Sequence, residues 1–455
     1  MLRTTLEVSI ALSFFLGVLF LCYVLVLIRN FRGVRPEAPG DPSEFSWHFV
    51  VPCRDEEAVI DGTLEYLTRH FPRAHVWVVD DHSTDNTASI ISSWAGSSGQ
   101  VHLVARRLPD ARTGKGDALN YAYSRIREWM GPHADLSRAI LCIVDADGRP
   151  APNMLEVCAG PGLFGDPQIG AVQAEVRMFN RDVREPFPGE GPVANAFARM
   201  LARMQDLEFR GPISAMQVTR RLTGTVNVGG NGQLNRFSAL EVLAASTGKP
   251  WGNALLEDFE LGLRMLLSGW KTAYTVDTWV DQEALWKLRP LLTQRTRWAQ
   301  GSMQCVRYLP LVWRSPHFKT AGFVEVLYFM CQPWLQVLGS LVYAVPISVF
   351  AYHAAVYPEF MTDFLQNGGA FLIVLYGIVG IGEFAIWGPV YRKRSEPQTT
   401  RRAALGYGLS LALYTLTTYV VAWRAFARLI SGKGSWAKTK RNASAPQTAN
   451  ALESA

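Results

Sequence analysis

The sequence predicts an α/β fold, a mainly parallel sheet covered by helices, joined to transmembrane α-helices. Three observations predict it. Short valine- and isoleucine-rich runs alternate with helical patterns, acidic clusters stand at the ends of two of those runs, and uncharged apolar stretches toward both ends of the chain have the length of a bilayer.

Residues 9–28, SIALSFFLGVLFLCYVLVLI, carry no charge and match the roughly twenty residues a helix needs to cross the hydrocarbon core. A cleaved leader would have a shorter apolar core and a basic start. Arg29, Arg32 and Arg35 follow the segment instead, which places that end in the cytosol. Further apolar stretches at roughly 321–352, 369–391 and 404–425 make the chain multi-pass. The basic RKRSEPQTTRR between the last two is cytosolic by the same rule, in step with the crossings counted from the first helix. The basic RLISGKGSWAKTKR is out of step, because four crossings would leave it outside. Pro333 and Pro346 offer one solution, dividing 321–352 into two short spans or into an interfacial helix and one span.

Between the membrane segments, WHFVVP (47–52), VWVVDD (76–81), VHLVAR (101–106) and AILCIVDAD (139–147) read as strands buried on both faces, since their apolarity is continuous rather than alternating. DALNYAYSRIREWM (117–130) reads as an intervening helix. The expected organisation is a membrane helix with its basic flank (1–35), a soluble unit (36–288), an interfacial amphipathic stretch (289–320), membrane helices (321–430) and a basic, then polar and disordered, tail (431–455). The net charge of +6 sits mostly beside membrane segments, where it suits a lipid surface. The soluble unit lacks the basic stripe that nucleic acid requires. Six scattered cysteines without a C-x-x-C pair indicate neither a disulfide framework nor zinc.

Open sheets of this kind bind ligands at the carboxyl ends of strands. Asp80 and Asp81 stand at one such end, in DDHSTDNT, where helix capping is the plain alternative to ligand binding. Asp145 and Asp147, in VDADG, are one residue apart at another, and two carboxylates on one side of the chain can address one Mg²⁺ or Mn²⁺; a surface turn is the alternative. No Walker A or dinucleotide glycine pattern follows the first strand. Gly229, Gly230 and Gly232 permit close approach of backbone to a ligand, or a hairpin turn. Asp258 can open a helix ending near Gly269, with Leu261 and Met265 inward, serving as a cap or as a base for a hydroxyl proton. Gln294, Arg297 and Trp298, spaced i, i+3, i+4 in QRTRW, share a helix face. An arginine fork there suits diphosphate and an indole suits a sugar ring, although an interfacial helix also favours both residues.

In this order DDHSTDNT, DAD, ED and QRTRW resemble the signature of the membrane-integral family-2 glycosyltransferases with a GT-A domain, including cellulose, hyaluronan and poly-N-acetylglucosamine synthases. VPCRDEE is similar to the family's P-x-x-N-E-E, with Asp55 in the asparagine place, and GKGDALN to its G-K-x-x-A-L-N. The resemblance covers roughly residues 45–310. It implies that Asp258, beside Glu257, is the catalytic base. It assigns donor binding to Pro52, Glu56, Asp80, Asp81, Lys115, Asp145, Asp147, Gln294 and Arg297, and acceptor binding to Gly230, Asn231 and Trp298. Asp145 and Asp147 would hold Mg²⁺ or Mn²⁺. Leu256 departs from the family, in which threonine commonly precedes Glu-Asp.

The implied activity is inverting transfer from a nucleotide-diphosphate sugar, UDP-glucose or UDP-N-acetylglucosamine, by a cytosolic domain at the plasma membrane. On the strength of QRTRW the preferred acceptor is a growing β-linked polysaccharide. The alternative is a membrane lipid, since GGNGQ and QRTRWAQGSMQ are also similar to enzymes that glucosylate diacylglycerol. A non-catalytic sensor of nucleotide sugars would use the same binding residues without needing Asp258.

Overall fold

Continuous apolarity in the first, second and fourth runs is matched by burial on both faces, while the third, at the edge of the sheet, is half-buried at His102, Leu103 and Ala105. In the computed structural model, which describes residues 2–434, Phe49, Val50, Val51, Val76, Val78 and Val79 are fully enclosed. These runs form β1 (Ser46–Cys53), β2 (His75–Asp81), β3 (Val101–Arg106) and β4 (Ala139–Ile143). The fourth strand stops short of Asp145 because the chain turns there, with Gly148 N donating to Asp145 O at 2.7 Å. Both aspartates of DAD therefore lie on the turn after the strand and not on the strand itself.

Four more strands complete the sheet: β5 (Arg149–Pro150), β6 (Ile169–Met178), β7 (Gln233–Arg236) and β8 (Lys271–Gln282). The order is β3-β2-β1-β4-β7-β6-β8-β5. The β1–β2, β2–β3, β1–β4 and β6–β8 pairs are parallel, while β7 runs antiparallel between β4 and β6. Helices α1 (Leu2–Arg32), α2 (Lys115–Met130), α3 (Pro192–Glu208), α4 (Glu257–Leu267) and α5 (Leu288–Cys305) follow in chain order.

At the amino ends of β1 to β3 three histidines gather under Trp129. His48 is in register with His75, and Trp77 with His102. Trp77 Nε1 donates to His48 Nδ1 at 3.2 Å, so the ring proton sits on Nε2 and points to Ser46 Oγ at 3.0 Å. Burial first, then the neighbouring histidines, push the His48 pKa down to about 3. The unfolded chain takes up a proton near the ordinary value of about 6.5 and the folded chain does not. Stability is thus fully present above that value and falls as pH drops below it, by about 1.4 kcal/mol per pH unit for this group. The unfolding midpoint of the purified protein should fall between pH 7.5 and 5.5, and His48→Gln should flatten that dependence.

Among the described residues four helices have the length and apolarity to cross a membrane: α1, α6 (Thr320–Val356), α7 (Phe360–Arg394) and α8 (Arg401–Ile430). The sequence allowed α6 to break at its prolines, but it is one continuous helix through Pro333 and Pro346. Proline at 333 leaves the Phe329 carbonyl without its helical donor, and Ser302 Oγ of α5 donates to that oxygen at 3.2 Å.

Helix α8 meets the soluble unit at both ends. Near its start Tyr407 packs on Arg203, and Tyr414 donates to Glu208 at 2.9 Å. Near its end Arg428 donates to Gln300 of α5 at 2.8 Å, and Gln300 donates to Lys433 O at 2.7 Å. Its other face exposes Leu405, Leu409, Leu413, Leu416, Val420 and Trp423. Just before it, Glu396 accepts from Arg210 at 2.6 Å and pairs with Arg181 at 3.2 Å. Arg210 also pairs with buried Asp206 at 3.1 Å, which accepts from Tyr391 of α7. The segment SWAKTKR and the polar end beyond it lie outside the described residues.

Candidate active site

Glycine at 114 adopts a φ of 151° and delivers Lys115 as the first residue of α2. A lysine at a helix amino terminus opposes the helix dipole and needs a compensating anion. Asp145, just past β4, supplies it: Lys115 Nζ lies 2.6 Å from Asp145 Oδ1 and 3.2 Å from the carbonyl of Gly230. Burial disfavours the ammonium, but Asp145, Glu257 and Asp258 outweigh it and raise the lysine pKa. Gly230 packs tightly against both charged groups, Lys115 and Asp258. A methyl group on it would sit 3.0 Å from Lys115 Nζ and 3.2 Å from Asp258 Oδ2.

Asp258 is the second residue of α4, and its Oδ1 accepts from Phe259 N at 2.7 Å. Leu261 and Met265 are fully buried behind it, as the helix pattern predicted. Burial, then repulsion from Glu257, push its pKa up to about 7. Such a carboxylate can take a proton near neutral pH, which an ordinary aspartate does poorly. Position 256 is the N-cap of α4, where Leu256 makes no side-chain cap. The segment before α4 is fixed differently. Glu260, almost fully buried, accepts from Ala254 N, Arg307 and Tyr308, and Leu255 N donates to Gln304.

Helix α5 packs on that segment at Gly301, where a methyl group would meet Leu256 N at 2.4 Å. We expect Gly301→Ala to displace α5 from the Glu257–Asp258 turn, costing about 1–3 kcal/mol in stability together with activity. Thermal unfolding and turnover measured side by side check this; an unchanged enzyme refutes the contact.

A cavity of about 410 Å³ joins these groups. On the side of the soluble unit it is bounded by Lys115, Asp145, Gly230, Asp258, Arg297 and Trp298; on the membrane side, by Phe329, Gln332 and Gln336 of α6 with Thr417, Thr418 and Val421 of α8. Glu257 and Asn231 also line it. Asn231 accepts from Asp145 N at 3.2 Å and donates to Gln282 at 3.0 Å, so it positions the DAD turn. Burial draws the Arg297 pKa down, against Glu257, Asp145 and Asp258.

Other expected site residues lie outside this lining. Gln294 is on α5 but not on the face that borders the cavity; that face carries Arg295, Arg297, Trp298 and Ser302. Arg295 escaped the sequence reading. It stacks over Trp298 at 4.4 Å and donates to Glu208 at 2.7 Å. Asp147 is buried, with Oδ2 accepting from Glu283 N at 3.0 Å. Asp80 and Asp81 are buried at the end of β2 and already engaged: Asp80 by Ser83 N and Arg107, Asp81 by Arg106 and Arg112 N. The arginines of VARRLPDART carried the signal for this. Pro52 pairs in register with Val79, and Glu56 N donates to Thr87 at 2.7 Å. Asp55, at a φ of 51°, accepts from Thr84 N at 2.8 Å. An asparagine or aspartate suits that left-handed position, and the bond ties the loop after β1 to the loop after β2.

Among known proteins, residues 46–301 match the model of the glycosyltransferase-like family 2. The chain is 31% identical over 302 residues to a beta-monoglucosyldiacylglycerol synthase of Synechocystis, covering 64% of this chain and 55% of that protein. It is 24% identical over 285 residues to a poly-beta-1,6-N-acetyl-D-glucosamine synthase of Staphylococcus aureus, covering 60% and 58%. It therefore spans little more than half the length of these relatives. A mannosyltransferase of Pyrobaculum calidifontis, solved in complex with GDP-Man and Mn²⁺, shares the fold with a TM-score of 0.53 at 20% identity, covering 91% of this chain and 99% of its own. With a family model matched over more than half its length, on a GT-A sheet with membrane-capable helices, the chain belongs to the family-2 glycosyltransferases.

Proposed function

We propose that this glycosyltransferase transfers a hexose, with inversion, from a UDP-sugar to the free hydroxyl of a diacylglycerol-type lipid at the cytosolic face of the plasma membrane. One observation carries the choice of acceptor. The cavity that holds Asp258 extends from the soluble unit to α6, where its lining reaches Gln336. At 1.5 Å per residue that is about 24 Å from Thr320, on a helix about 55 Å long. A lipid held in one leaflet can present its hydroxyl to a cavity of this reach, whereas an exported polymer needs lining along the whole of α6. The name of the Synechocystis relative supports this reading; QRTRW and the Staphylococcus relative support the polymer.

Asp258 takes the proton of the acceptor hydroxyl as its oxygen attacks the anomeric carbon. The bond from that carbon to the diphosphate oxygen breaks, UDP leaves, and an α-linked donor yields a β-linked product. Arg297 and Lys115 face the departing charge. Asp145 and Asp147 would hold a divalent cation, which when bound supplies positive charge against the diphosphate. The donor set fits. Both are carboxylates, the hard oxygen donors that Mg²⁺ and Mn²⁺ prefer, with Asp145 Oδ1 here held by Lys115 and Asp147 Oδ2 by Glu283 N.

The contacts of α8 with the soluble unit at both ends support a sidedness of three crossings, by α1, α6 and α7, with α8 lying flat on the cytosolic leaflet. That arrangement brings the basic tail inside.

The test is purified protein in lipid with diacylglycerol and labelled UDP-glucose or UDP-N-acetylglucosamine, with Mg²⁺ or Mn²⁺ and with chelator. A metal-dependent product that extracts into organic solvent carrying one or two sugars is expected. A water-soluble size ladder would replace this reading with the polymer, and donor binding without turnover would replace it with the sensor.

A further inference from the structure

The membrane side of the cavity carries polar groups where hydrocarbon would be the default lining. Gln332 and Gln336 are one turn apart on α6, so they share a face. Both line the cavity, and neither side-chain amide has a hydrogen-bond partner among the described residues. The hydroxyls opposite are committed to their own helix: Thr417 Oγ donates to Tyr414 O at 2.7 Å and Thr418 Oγ to Thr415 O at 2.6 Å. Polar side chains in an otherwise apolar wall are costly unless they meet a partner. Arg220 also lines the cavity, but its Nε is bound to Glu325 at 2.9 Å, which neutralises its charge. The lining therefore offers neutral donors in an apolar wall, suited to carbonyl oxygens rather than to a phosphate.

We propose that Gln332 and Gln336 are specificity residues that hydrogen-bond the two ester carbonyls of the acceptor lipid, seating its free hydroxyl toward Asp258. This rests on the lipid-acceptor reading and adds a requirement that reading does not make: the acceptor must carry ester carbonyls, not merely two chains and a hydroxyl.

The experiment compares 1,2-diacylglycerol with the 1,2-dialkyl ether analogue, and with a polyprenyl phosphate, using wild type, Gln336→Met and Gln332→Leu/Gln336→Leu in lipid of fixed composition. Each hydrogen bond should be worth about fivefold. The wild type should prefer diacyl over dialkyl glycerol in kcat/KM by an order of magnitude, mainly through KM, and should not use the phosphate. The single variant should lose part of the preference and the double variant all of it, with UDP affinity unchanged as the check on folding. A wild type that glycosylates both glycerolipids equally, or a folded double variant that keeps the preference, overturns the assignment of these glutamines while leaving the lipid reading intact. A wild type that makes only polymer overturns the acceptor reading and this proposal with it.

Discussion

Asp258→Asn is expected to lower turnover by about 10²-fold or more while leaving UDP affinity nearly unchanged. The substitution keeps the shape of the side chain and removes its ability to take a proton. Its Oδ1 bond to Phe259 N can be kept by the amide oxygen, so the start of α4 should hold. The pH profile gives a second measure. With the pKa pushed up to about 7, Asp258 is protonated and inactive as a base below that value. Wild-type kcat/KM should therefore rise with pH through about 7 and level off above it. Asparagine should abolish that limb. A variant that instead loses UDP binding and keeps its turnover at saturating donor would show that Asp258 serves the donor.

Lys115→Met is expected to cost about 10²-fold in turnover, and it should also move the pH profile. The methionine fills much the same volume, but it leaves Asp145, Glu257 and Asp258 facing one another without the ammonium now 2.6 Å from Asp145. Lys115 lowers the Asp258 pKa, so its loss should raise it further and shift the rising limb of kcat/KM to higher pH. The two substitutions should thus be told apart by the limb, shifted in one and absent in the other. An unshifted profile for a folded Lys115→Met would mean that the lysine acts on the donor alone.

The first half of the sheet was legible because β1 to β4 are apolar on both faces. Strand β6 was not, since it carries Gln173, Glu175 and Arg177 in alternation, as a half-solvated strand would. Gln173 and Glu175 are nonetheless buried, with local partners in Ala174 O and Arg177 and long-range ones in Gly229 N and the Asn231 carbonyl for Gln173 and Ser214 for Glu175. The long-range partners, 39 to 58 positions away, leave no local trace. The site divides in the same way. Lys115, Asp145, Asp258, Arg297 and Trp298 could be named from ordered motifs. On α5 the spacing picked out Arg297 and Trp298, which border the cavity, but also Gln294, which does not, and it missed Arg295 and Ser302. The membrane wall of the cavity was illegible, since nothing in QPWLQ announces that Thr417 lies opposite.

The ion cluster of Asp206, Arg210 and Glu396 sets the altitude of the site. It is buried, joins the soluble unit to the chain between α7 and α8, and breaking such a cluster costs about 3–5 kcal/mol. The cluster therefore ties the soluble unit to its helices in one position, which fixes Asp258 relative to them. On the lipid reading, an acceptor is then measured by how far its hydroxyl stands from its anchor. A glycolipid product carries its new hydroxyls a sugar's length farther out and so meets the base poorly. On that reading the product stays short without a separate stop signal, because the mounting of the domain would set the reach of the base.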